Sequence, residues 1–187
     1  MALVMRANVP SLPADRRLVE SALMEAVNDL DRAAFVERFG PLFEHSPWVA
    51  EAAWHDRPFS DREELYEALV AAMHAASRER KLALIRAHPD LAGKAAIEGT
   101  LTNSSKREQA SAGLDRLTPD EYDAFTRTNT AYRERFGFPF VVCAREHTKE
   151  SILRLASERL SNSEDEEIRV ALEEIAKIAR LRLEDLL

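Results

Sequence analysis

Cysteine is almost missing from this chain: Cys143 is the only one in 187 residues, so no intrachain disulfide can form. That usage fits a reducing compartment and makes a cytoplasmic location the expectation. Glycine is scarce too, and four of the five glycines (Gly93, Gly99, Gly113 and Gly137) crowd into the middle of the chain, where the irregular backbone is expected. There is no P-loop and no Gly-x-Gly-x-x-Gly dinucleotide fingerprint. No apolar run approaches the ~20 residues of a membrane-spanning helix. The opening segment MALVMRANVPSLPADRR is too short in apolar residues for a secretory signal, and the final EDLL is not an SKL-type address. Positive charge is in deficit, with 26 Lys and Arg against 33 Asp and Glu for a net charge of −7. Nothing general therefore draws the protein to nucleic acid or to anionic lipid, although a local basic pocket stays open.

What is present reads as helix. Hydrophobic residues at 45% and charged residues at 32% suit one ordinary globular domain with a single core. Ala33, Val36, Leu42 and Phe43 suggest one apolar face, and Leu65, Leu69 and Met73 another at i, i+4, i+8 spacing. Ile168, Leu172, Ile175, Ile178, Leu181 and Leu183 predict a long amphipathic C-terminal helix. Ser60 with Glu63 reads as a capping box; Thr118, Pro119 and Glu121 supply a cap, a first-turn proline and an N3 acid; Ser163 with Glu166 opens the last helix. Lys177, Arg180 and Arg182 toward its end match the helix dipole. The run Phe138–Cys143 is β-prone, but one strand cannot form a sheet, so it reads as a helix N-terminus or an extended loop. No internal repeat and no low-complexity segment interrupts the pattern. The expected class is all-α, a single-domain helical bundle.

Three segments carry candidate chemistry. In RAHPDLAG a helical pattern ends at His88, and Pro89 pushes the residue before it into extended geometry. An imidazole there, with an ordinary pKa of about 6.5, can serve as acid or base in a cleft, or can simply satisfy a helix C-terminus. In SSKREQ, the residues Ser105, Glu108 and Gln109 share one helix side at i, i+3, i+4 spacing; they form either a polar cluster or a cap followed by a surface glutamine. In RFGFPFVV, Gly137 and Pro139 break an apolar run whose main-chain amides can face a ligand, while Phe136, Phe138 and Phe140 suit a buried aromatic plug. Arg180 and Arg182 are each able to hold a carboxylate or ureido oxygen. Cys143 and His147 are four apart with no further Cys or His nearby, so no metal site is expected. His45, His55 and His74 are isolated, and Cys143 has no visible activating partner.

The segments SPWVAEAAWHDRPF, LIRAHPDLAGKAA, LTNSSKREQASAGLD and NTAYRERFGFPFVV, in this order and spacing, resemble the 2-oxo-4-hydroxy-4-carboxy-5-ureidoimidazoline (OHCU) decarboxylases. The resemblance covers residues 25–187 and leaves residues 1–24 as an N-terminal extension, expected to be poorly ordered. It implies an all-α fold, a homodimer, no metal and no organic cofactor. The reaction it implies is decarboxylation of a ureidoimidazoline to (S)-allantoin in urate breakdown. Matched residue by residue, His88 falls on the catalytic histidine, and Pro89, Ser105, Glu108 and Gln109 on substrate-binding positions. Main-chain groups of Phe140, Val141 and Val142 fall beside the substrate, and Arg182, with Arg180 as the alternative, falls on the pocket arginine. Another ureide- or hydantoin-processing enzyme, or a non-catalytic helical interaction module, would be the competing readings.

Overall fold

The computed structural model describes residues 14–93, 96 and 98–187, which form nine α-helices and no strand. The start of the expected N-terminal extension, residues 1–13, lies outside the described residues. Helix α1 (Ala14–Asn28) crosses the boundary expected at residue 25, and its Met24 and Val27 are buried in the core. Then follow α2 (Arg32–Phe39), α3 (Trp48–Ala53), α4 (Arg62–Ala75) and α5 (Arg78–Ala87). After the central loops come α6 (Asn103–Ser111), α7 (Pro119–Phe136), α8 (Lys149–Arg159) and α9 (Glu164–Leu186).

The long helix α9 organises the bundle. Ser163 caps it by accepting from the Glu166 N–H, and four acids, Glu164 to Glu167, occupy its first turn where the dipole favours them. At about 1.5 Å per residue it reaches across most of a small domain. Its Ile168, Leu172, Ile175, Ile178 and Leu183 are buried as their spacing predicts, against α4, α5 and the turn Gly40–Leu42. The helix runs on to Leu186, so Lys177, Arg180 and Arg182 lie before its last turn and act through side-chain partners rather than the dipole.

Two local expectations are corrected. The cap of α4 is Asp61, which accepts from the Glu64 N–H, while Glu64 reaches back to Ser60; the reciprocal pair is one residue on from Ser60 and Glu63. The buried face of α2 is Phe35 and Phe39, with Ala33 exposed and Val36 only half-buried, because the two aromatic rings remove more apolar surface from water. Thr118, Pro119 and Glu121 do form the capping box that opens α7.

Gly137 ends α7 in the left-handed conformation, φ 72°, and its N–H donates to the Arg133 carbonyl. A β-carbon there would meet only the end of Arg86, at 3.8 Å, so the demand for glycine is conformational rather than steric. Gly137→Ala is expected to cost about 1–2 kcal/mol, the usual penalty for an L-residue in this region, measurable as a lower urea midpoint. An unchanged midpoint would mean that the turn is not held in this form. Beyond Gly137 the chain bends at Phe138 and reaches Cys143 without forming a helix or a strand. Phe136, Phe138 and Phe140 are buried; the Tyr132 ring lies 5.0 Å from both Phe136 and Phe140.

Candidate active site

A small cleft, with a cavity volume of about 30 Å³, collects the candidate residues from four parts of the chain. His88 and Pro89 come from the end of α5, Ser105, Glu108 and Gln109 from α6, Phe140, Val141 and Val142 from the loop after α7, and Arg182 from α9. Leu91 and Ala144, which the sequence did not single out, and Ile178, expected only as part of an apolar helix face, complete the wall.

The histidine is placed by the end of its helix. Ser77 starts α5, and Pro89 forces His88 to be its extended C-cap, at φ −73°, ψ 138°. The His88 Nδ1 lies 2.9 Å from the Leu84 carbonyl, one of the last-turn oxygens that the helix cannot satisfy itself. A carbonyl only accepts, so Nδ1 carries the proton and Nε2 keeps its lone pair. Burial holds the imidazole pKa below its ordinary 6.5, against opposing pulls from the Leu84 carbonyl and the Glu44 carboxylate. The neutral, Nε2-basic form is therefore the resting one.

The segment after His88 is braced from two helices. Gln109 accepts from the Ala92 N–H at 2.9 Å and donates to the Asp90 carbonyl, and Asn129 donates to the Leu91 carbonyl at 2.9 Å. Arg133 grips the Asp90 carboxylate with both oxygens at 3.0 Å. Part of the Gln109 amide is thus spent on the loop that carries His88.

Ser105 and Glu108 are not a cap. Thr102 caps α6, accepting from the Ser105 N–H at 3.2 Å, which frees the Ser105 hydroxyl to donate to Glu44 at 3.1 Å. Glu44 is the member of this polar group that the sequence did not single out: it is 4% exposed, and Thr102 donates to its second oxygen at 3.0 Å. Its partners lie 61 and 138 residues away, beyond the reach of any periodicity. The one local signal is an acid directly after the buried pair Leu42 and Phe43.

Arg182 joins this group, and Arg180 does not. Arg180 pairs with the exposed Glu63 and stacks over Tyr66 at 3.9 Å. Arg182 is 7% exposed and forks onto Glu108 through Nε at 2.6 Å and Nη2 at 2.7 Å. Its Nη1 donates to Glu44 at 3.1 Å and to the carbonyls of Pro41 and Leu42, and Nη2 also reaches Ser105. All five guanidinium donors are occupied, so Arg182 fixes the positions of Glu44, Ser105 and Glu108. Burial alone would raise the Glu44 pKa, but Arg182, Thr102 and His88 outweigh it and hold the carboxyl below its ordinary 4.5. One guanidinium between two carboxylates leaves this buried group with an excess of negative charge; Glu108 and Arg182 line the cleft and Glu44 lies behind them.

Among the described residues no group of His, Cys, Asp and Glu is arranged to hold a metal ion, and burial pushes the Cys143 thiol up to about 11. Among the described residues no helix is long and apolar enough to cross a membrane.

Comparison with known proteins gives this arrangement a family. The OHCU decarboxylase family model matches residues 28–184. The 2-oxo-4-hydroxy-4-carboxy-5-ureidoimidazoline decarboxylase of Haloferax volcanii is 47% identical over 160 residues, 86% of this chain and 93% of that protein. The Mus musculus protein of the same name is 43% identical over 164 residues, 88% of this chain and 92% of that one. A crystal structure of (S)-allantoin synthase superposes with a TM-score of 0.70 at 30% identity, covering 88% of this chain and 53% of that one, so this chain spans about half its length. With the family model matched along most of its length and near-full-length relatives above 40% identity, the chain belongs to the OHCU decarboxylase family.

Proposed function

We propose that this protein decarboxylates 2-oxo-4-hydroxy-4-carboxy-5-ureidoimidazoline and delivers (S)-allantoin, using the cleft between α5, α6, α9 and the loop after α7. The observation that carries the reading is a buried neutral histidine, with Nδ1 fixed on a carbonyl, opening on the same cleft as Ser105, Glu108 and Gln109. Belonging to the OHCU decarboxylase family supplies the substrate.

The reaction needs no borrowed electron sink. The carboxylate of the substrate sits on a hydroxyl-bearing ring carbon beside a ring C=N bond. As carbon dioxide leaves, the C–C bonding pair forms a C=C bond to the neighbouring carbon, and the C=N pair moves to nitrogen, which takes a proton. The resulting enol loses its hydroxyl proton and the neighbouring carbon gains one, which gives the allantoin ring. In this scheme Nε2 of His88 takes the hydroxyl proton. Glu108, Ser105 and the spare Gln109 N–H face the ureido and ring amide groups and decide which side of the planar enol is protonated, an effect of orientation. Val141 and Val142 offer main-chain amides to ring oxygens. Pro89 and the Phe140 ring shape the walls. Excess negative charge around Arg182 keeps the ground-state carboxylate loosely held, which favours its departure as a neutral molecule.

The catalytic unit is the domain expected over residues 25–187 together with the part of α1 that packs on it, and it works as a homodimer in the cytoplasm without a metal or organic cofactor; the oligomer and the lack of a cofactor rest on the family resemblance, the compartment on the single cysteine. The direct test uses substrate labelled with ¹³C at the carboxyl and made in situ from urate. The protein is expected to speed the loss of that resonance well above the buffer rate; an unchanged rate with folded protein contradicts the reading.

The pH profile follows from His88. The base works unprotonated, and burial disfavours its imidazolium, so kcat/KM should stay high below pH 6.5 and fall only as the lowered His88 pKa is crossed. An acid limb centred at or above 6.5 would contradict the buried-base assignment.

A further inference from the structure

The loop that offers its amides to the cleft is held from behind by a buried ion pair. Arg159, the last residue of α8, donates from Nη1 to the Val141 carbonyl at 2.9 Å, and its guanidinium lies 4.5 Å from the centre of the Phe140 ring. Its Nε bonds both oxygens of Glu167, at 3.1 and 3.2 Å, and Nη2 makes a further bond to the same carboxylate. Asn162 donates to Glu167 at 2.9 Å. Arg159 is 9% exposed and Glu167 is fully buried, and neither lines the cleft.

Stability alone does not account for such a pair, since apolar side chains of similar volume often hold a core as well or better. Geometry does. A trans peptide is planar with its C=O and N–H antiparallel, so anchoring the Val141 carbonyl on Arg159 turns the Val142 N–H the opposite way, away from the buried arginine. The next peptide is fixed as well, because the Cys143 N–H donates to Glu174 at 2.8 Å.

We propose that Arg159 is a positioning residue for the reaction: by holding the Val141 carbonyl it aims the Val142 amide at the substrate, and Glu167 with Asn162 holds Arg159 in place. The proposal rests on the reading of the cleft as the decarboxylase site. It is tested on the full-length protein with substrate generated in situ, comparing wild type, Arg159→Lys, and the double variant Arg159→Met with Glu167→Met. The double variant removes both buried charges and so avoids leaving one unpaired; Arg159→Lys keeps a cation able to reach the carbonyl. For the double variant, kcat/KM per folded molecule is expected to fall about 10²-fold, the usual cost of misplacing a group by about 1 Å. Its product under excess enzyme should lose handedness, and Arg159→Lys should recover part of both. A purely structural pair would show its loss in Tm alone, if at all, and leave both readouts unmoved. Wild-type kcat, KM and product handedness in the double variant, once folded, overturn the proposal, as does an Arg159→Lys variant that recovers neither readout. A wild-type protein without decarboxylase activity overturns the reading of the reaction and this proposal with it.

Discussion

His88→Asn should lower kcat/KM by about 10²–10⁴-fold, the range that general acid–base catalysis contributes, while the fold stays intact. Asparagine keeps a side-chain donor for the Leu84 carbonyl and accepts the extended C-cap geometry, so the end of α5 has no reason to unravel. Far-UV circular dichroism and the melting curve should therefore match wild type while turnover collapses. A folded variant that keeps most of its kcat/KM would remove His88 from the mechanism.

The second large effect is on stability. Arg182→Leu strands Glu44, 4% exposed, and leaves Glu108 without its fork, and breaking a buried pair from one side costs about 3–5 kcal/mol. Arg180→Leu, two residues away, breaks only an exposed pair with Glu63 and should cost about 0–1 kcal/mol. The pH dependence separates this cause from simple loss of packing. In the wild type the folded Glu44 pKa lies below the ordinary 4.5, so its stabilising contribution is present above that value and is lost as pH falls through the folded one. Without Arg182, burial dominates and the Glu44 pKa rises, so protonation relieves the variant as pH falls. The stability gap between wild type and Arg182→Leu should then narrow from about pH 7 to about pH 5 in denaturant titrations. A gap that stays constant or widens would mean that the stranded carboxylate is not the cause.

Much of this was legible in the sequence because helices announce themselves locally. Thr118, Pro119 and Glu121 fix the start of α7 within four residues, and the spacing of Ile168, Leu172 and Ile175 fixes the face of α9. Local signals also misled where two neighbours could play the same part. Ser60 and Asp61 are both good caps, and only the backbone at Asp61, φ −154°, ψ 176°, places its carboxylate over the Glu64 amide. Ser105 and Glu108 have the spacing of a capping box, yet Thr102, three residues earlier, takes that role and releases Ser105 for Glu44. His88 stood out through Pro89, a constraint between adjacent residues.

What stayed hidden are the contacts that close over long stretches of chain. Glu44 and Arg182 are 138 residues apart, and Arg159 reaches back 18 residues to a main-chain oxygen. Neither leaves a periodic trace, since each depends on how α9 and α8 lie against loops whose own sequences are merely apolar. Choosing Arg182 over Arg180 needed the same information: both follow good helical register, and only the packed helix shows that one faces Glu63 and Tyr66 while the other faces the cleft.

In this mechanism the cleft lets the enol left by carbon dioxide be protonated from one side only. Uncatalysed, the planar enol is protonated from either side and yields racemic allantoin with no net optical signal. The most direct measurement generates the substrate from urate with urate oxidase and hydroxyisourate hydrolase and follows the circular dichroism of allantoin with and without the protein. A rapid signal of the sign of (S)-allantoin that disappears with His88→Asn is expected; a trace no different from the protein-free control, obtained with verifiably folded wild-type protein, would rule the mechanism out.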